Sequence, residues 1–124
     1  MDKTKQPGIK FHNVLLKEFS FKRKDNINTD KPIDISFQVN RQISNDKLNL
    51  IVELGIDINQ NSYEENGFKI HCSMIGLFSV NEEDKNMSLE NFAEQNAPAL
   101  ILPYIREHIS TTTLKAGLPP VILP

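Results

Sequence analysis

At 124 residues the chain is long enough for one domain, with a core modest enough that association with other copies would help it. Its 39% hydrophobic and 24% charged residues exclude a disordered chain. A formal net charge of -2 excludes the broad basic surface of a general nucleic-acid binder.

The single cysteine, Cys72, excludes an intrachain disulfide and fits a reducing compartment. Met1 to Gly8 is polar and reads as a flexible terminus without the apolar core of a secretory signal. No apolar run approaches the ~20 residues that span a bilayer, so no membrane insertion is expected and the default location is the cytoplasm.

Four segments alternate apolar and polar residues, as half-buried strands do. In Ile9 to Phe21, simple alternation puts Ile9, Phe11, Leu15, Phe19 and Phe21 on one face, with Val14 and Leu16 on the other. The basic cluster Lys22, Arg23 and Lys24 is followed at once by Asp25 and reads as a solvated loop. The second segment, Ile33 to Val39, alternates Ile33, Ile35, Phe37 and Val39 with Asp34, Ser36 and Gln38. Ser44-Asn45-Asp46-Lys47 is short enough to close a hairpin. The third, Leu48 to Ile58, sets Leu48, Leu50, Val52, Leu54, Ile56 and Ile58 against Asn49, Glu53 and Asp57. Asn66-Gly67 is a turn signal before the fourth, Phe68 to Val80. There Phe68, Ile70, Cys72, Met74, Phe78 and Val80 share a face, opposite His71, Ser73, Ile75 and Leu77. Consecutive strands with no helix between them predict an antiparallel sheet.

Beyond an acidic loop, Asn81 to Asn86, Ser88 is a candidate cap for a short helix over Leu89 to Gln95. Asn96 with Pro98 suits a second helix start, and Gly117 a stop after about Ala116. Pro103 is expected to kink this helix or delay its regular start. Thr111-Thr112-Thr113 is a poor helix interior, so packing must hold it. Residues 88–116 are therefore a helical region, and Leu118 to Pro124 is an apolar, proline-rich loop. The fold class expected is α+β: a four-stranded antiparallel sheet packed with a long C-terminal helix.

Catalytic chemistry finds no support. His12, His71 and His108 are scattered, and His71 beside Cys72 on a strand points to the opposite face, so the pair cannot share a metal. Cys72 lies on an apolar stripe and reads as a small buried hydrophobe. There is no glycine-rich phosphate loop and no serine-centred elbow. The expectation is a non-enzyme with no cofactor. The excess of apolar residues on both strand faces instead suggests an interface or a binding groove.

The stretch Ala97-Pro98-Ala99-Leu100-Ile101-Leu102-Pro103-Tyr104-Ile105-Arg106-Glu107-His108-Ile109 is similar to the helix motif of the SecB family of protein-export chaperones. In it an apolar run leads into Pro-Tyr, one residue, then Arg-Glu; here those are Pro103, Tyr104, Arg106 and Glu107. Gly117-Leu118-Pro119 and Val121-Ile122-Leu123-Pro124 resemble the family's apolar crossover loop. Gly76-Leu77-Phe78-Ser79 and Lys17-Glu18-Phe19-Ser20-Phe21 resemble its fourth and first strands. The resemblance implies a homotetramer, a dimer of dimers, whose apolar groove binds unfolded preproteins and delivers them to the SecA motor. It implies groove positions at Phe68, Met74, Leu77, Phe78, Leu118, Val121, Ile122 and Leu123, and a motor contact at Glu18. Lys22 and His71 stand where the family's motor contact would be acidic, and the family's second helix and acidic tail are not found within these residues. The readings left open are an export chaperone, a solitary chaperone guarding one client such as an antitoxin, and a non-chaperone interaction module on the same fold.

Overall fold

The computed structural model describes residues 8–28, 30–60, 66–84, 88–119, 121 and 123. Four strands, β1 (Ile9–Arg23), β2 (Ile33–Ile43), β3 (Asn49–Gln60) and β4 (Phe68–Val80), are followed by helix. They form one antiparallel sheet in the order β1-β4-β3-β2, so β1 and β2 are its edges. A short helix α1 (Leu89–Asn91) continues through a π-helical turn (Phe92–Asn96) into α2 (Ala97–Lys115). Ser88 caps α1, its hydroxyl accepting from the Asn91 N–H.

Directly opposed residues share a face, so register divides the sheet into two surfaces. The inner face carries Leu50, Val52, Leu54, Ile56 and Ile58 of β3 and Phe68, Ile70, Cys72, Met74 and Phe78 of β4, all buried. Upon these two central strands lies α2, which buries Ala97, Ile101, Ile105, Ile109 and Thr113, one residue every four. Residues four apart fall along a single ridge, which is what a helix needs to lie on a sheet. Pro103 sits inside α2 on its exposed side.

The threonine run is held by packing, with Thr113 buried, and each hydroxyl also finds a local acceptor. Thr113 Oγ1 donates to Ile109 O at 3.0 Å and Thr112 Oγ1 to His108 O at 2.9 Å, while Thr111 Oγ1 donates to Glu107 Oε1 at 3.2 Å. Gly117 ends the helix at φ 73°, with Leu118 N–H donating to Thr113 O and Gly117 N–H to Leu114 O. The end is tied to the sheet by Arg23, whose guanidinium donates to the carbonyls of Lys24, Asp25 and Ala116. Arg23, expected in a solvated loop, is therefore the brace between the end of β1 and the C-terminus of α2.

Simple alternation fails in β1. The ladder to β4 shifts register between Phe11 and Asn13 and again between Leu16 and Glu18. Each bulge leaves one β1 residue unpaired and reverses the facing of those beyond it. Val14 and Leu16 therefore stand on the inner face, opposite Gly76 and Met74, and Leu15 on the outer face, opposite Ile75.

Candidate functional site

The structure does not gather the predicted groove residues onto one open surface. Phe68, Met74 and Phe78 are buried in the core under the helix, as are Leu118, Val121 and Leu123 of the segment after α2. Phe78 stacks on Phe11 at 4.9 Å and meets Phe92 edge-on at 5.3 Å. Leu77, half-buried, stands on the opposite, outer face. Ile122 lies outside the described residues. The motif residues Pro103, Tyr104, Arg106 and Glu107 all lie on the exposed side of α2, with Tyr104 touching Phe11 edge-on.

What is open is a surface the alternation pattern made look like core. Because α2 packs mainly on β3 and β4, part of the inner face of edge strand β2 is left uncovered among the described residues. Phe37 and Val39 are each 42% exposed there, with Ile33 at 36%. Phe37 and Val39 lie beside buried Ile56 and Leu54, their register partners, so the core's apolar floor runs outward there. Arg41 closes one end by pairing with Glu94 of the π-helical turn at 2.7 Å. The strand pairs with β3 through eleven successive positions from Ile33 to Ile43 without a register shift. Its other edge has no strand partner among the described residues. This apolar ledge bordered by an unbroken strand edge suits an extended, apolar polypeptide, which can supply both side chains and backbone hydrogen bonds.

The outer face is different. In its middle, Lys17 Nζ lies 2.8 Å from Glu53 Oε1, and Ser73 Oγ donates to Glu53 Oε2 at 2.7 Å. Those bonds, Lys17's above all, hold the Glu53 carboxyl below the usual carboxylate range. Glu18 does not stand free: its Oε1 lies 2.7 Å from His71 Nε2, while His71 Nδ1 lies 2.7 Å from Asp57 Oδ1. The Asp57 hydrogen bond, with Glu18's beside it, raises the histidine above its ordinary value. Toward the end of β1, Lys22 is directly opposed to Lys69.

Cys72 is buried, and burial pushes its thiol up to about 11. His108 is packed edge-on against Phe19 at 4.3 Å. No group of three His, Cys, Asp or Glu that could hold a metal occurs among the described residues. No described helix is long and apolar enough to cross a membrane.

A family model described as preprotein translocase subunit SecB matches residues 2–124. A protein-export protein SecB of Orientia tsutsugamushi (strain Boryong) is 30% identical over 129 residues, covering 97% of this chain and 78% of its own. An uncharacterized protein of Methanocaldococcus jannaschii is 30% identical over 123 residues, covering 94% and 77%. Among solved structures, a SecB-like chaperone of Mycobacterium tuberculosis, in complex with a ChAD peptide from the HigA1 antitoxin, superposes with a TM-score of 0.80. It is 18% identical and covers 94% of this chain and 89% of that one. A Streptococcus agalactiae protein of unknown function matches with a TM-score of 0.59 at 13% identity, over 94% and 96% of the two chains.

Proposed function

This chain belongs to the SecB family, and on that premise we propose that it is a chaperone that holds unfolded polypeptides on the open ledge of β2 and keeps them competent for export. The observation that carries this reading is the exposure of Phe37 and Val39 on the inner face of an unbulged edge strand. Burying a large apolar side chain is worth ~1.5–3 kcal/mol, so a few in succession hold a chain without a sequence code. Backbone hydrogen bonds to the free edge of β2 add affinity that is equally blind to sequence. Leu118, Val121 and Leu123 extend the same apolar core toward the chain's end. Phe68, Met74 and Phe78 form the floor beneath the helix. Leu77 belongs to a separate surface.

A dedicated client is the second reading, because the M. tuberculosis chaperone of the same fold is bound to an antitoxin peptide. The ledge would serve either client class. Self-association rests on α2, which leaves Leu100, Tyr104 and Leu114 exposed at 39%, 50% and 78%. Apolar groups so placed call for a partner helix, and a tetramer, cytoplasmic like its unfolded clients, is the assembly proposed. Binding to SecA should be weak. Glu18 is engaged by His71, and Lys22 faces Lys69 where a basic partner would need negative charge.

The deciding experiment is the affinity of a fluorescently labelled unfolded polypeptide for the wild type and for Phe37→Asp. A clear loss in the variant, with its melting temperature retained, supports the ledge. Equal affinities would place the client elsewhere. Tight, salt-sensitive binding of SecA by calorimetry would show that the outer face works despite its internal pairing.

A further inference from the structure

The outer face sets a histidine between two carboxylates. His71 has a carboxylate oxygen 2.7 Å from each ring nitrogen, Asp57 Oδ1 at Nδ1 and Glu18 Oε1 at Nε2. Ionised carboxylates only accept hydrogen bonds, and a neutral imidazole has a single N–H. The ring can offer a hydrogen to both oxygens only as the imidazolium, the form that two carboxylates at this distance favour.

The bridge crosses three strands, from Glu18 on β1 through His71 on β4 to Asp57 on β3. It also lies beside an interruption of the β1 ladder, since Glu18 immediately follows the second register shift. We propose that Glu18, His71 and Asp57 form a proton-operated clasp that fastens edge strand β1 across its bulge and opens when His71 loses its proton. This inference is independent of the client-binding reading.

On opening, the neutral ring keeps one N–H and must give up one carboxylate. Asp57 is directly opposed to His71 in register, and its side chain is 35% exposed. Glu18 is opposed to Ser73, reaches His71 diagonally, and is 67% exposed. The surviving bond therefore stays with Asp57, and Glu18 swings free. The other charges on this face do not replace the clasp. On β1, Lys17 is already bonded to Glu53 of β3, which also accepts from Ser73. Lys22 of β1 and Lys69 of β4 are cations and cannot take the place of the histidine's carboxylate partners, while their positive charge favours the proton's departure. The two carboxylates oppose that departure at shorter range, and the ring's affinity for its proton is raised.

Site-resolved NMR on the full chain tests this. The His71 ring should titrate with a midpoint above the ordinary histidine value. Glu18→Gln and Asp57→Asn should each lower that midpoint. Amide exchange should be compared with His71→Gln at each pH, so that intrinsic exchange rates cancel. Below the midpoint, amides from Leu16 to Phe19 should be more protected in the wild type; above it the difference should vanish, while β3 amides around Ile56 stay equal throughout. The proposal is overturned if His71 titrates at or below the ordinary histidine value, if Glu18→Gln leaves the midpoint unmoved, or if protection around the bulge never differs between wild type and His71→Gln.

Discussion

Gly76 lies directly beneath Ile101: a Cβ at Gly76 would stand 2.9 Å from Ile101 Cδ1 and equally close to a Phe78 ring carbon. This one bare position on β4 lets α2 settle onto the sheet with its isoleucine ridge fully buried. Gly76→Ala should therefore cost about 1–3 kcal/mol of stability, since overpacking forces neighbours off their rotamers. Chemical denaturation reads this directly, and an unchanged midpoint would mean the helix seat is looser than described.

The two faces of β4 should separate in mutation. Phe78 is 2% exposed and enclosed by Phe11 and Phe92. Phe78→Glu puts an unpaired charge there and should destabilise the fold by several kcal/mol. Leu77→Glu, on the half-open outer face, should leave the melting temperature nearly unchanged. Thermal melts of the pair are sufficient, and reversed behaviour would invert the assignment of faces.

Stability should fall on both sides of neutrality for separate reasons. Glu53's carboxyl is held low in the folded chain, so its contribution is present above the ordinary carboxylate value and lost as pH falls through the lowered one. His71 is held high, so its contribution is complete below the ordinary histidine value and lost as pH rises through the raised one. Lys17→Met should flatten the acid limb and His71→Gln the alkaline limb in denaturation midpoints measured across pH. A single limb surviving both changes unaltered would break the assignment.

Leu114, at 78% exposure, is the most open large apolar residue described on α2. In an assembly joined through helices, Leu114→Glu should reduce the mass measured by light scattering without unfolding the subunit. A variant with the wild-type mass would move the interface off this part of the helix.

Much of the fold was legible because the period-2 pattern in β3 and β4 is long and clean, and because Pro98 and Gly117 bracket α2. The facing of β1 was not, since a bulge adds a residue without disturbing composition, and His12 and Lys17 look like any other strand positions. β2 was read as ending at Val39, because Arg41 breaks the apolar alternation. In the structure Arg41 continues the strand and reaches Glu94, a partner 53 positions along the chain. The ledge was hidden for a related reason. Phe37 and Val39 carry the signature of buried residues, and only the lateral placement of one helix over two of four strands leaves them open. The clasp joins residues 18, 57 and 71, which no local spacing associates.

The central claim is that unfolded chains bind at Phe37 and Val39, and the suppression of aggregation tests it most directly. Light scattering from an unrelated unfolding protein would be followed with the wild type, with Phe37→Asp/Val39→Asp, and with Leu77→Glu. The wild type and Leu77→Glu should suppress scattering at near-stoichiometric amounts. Losing two apolar contacts of ~1.5–3 kcal/mol each should weaken the double variant by about a hundredfold or more, at an unchanged fold. If the wild type suppresses nothing, or if the double variant protects as well as the wild type while Leu77→Glu fails, the ledge is not the client site.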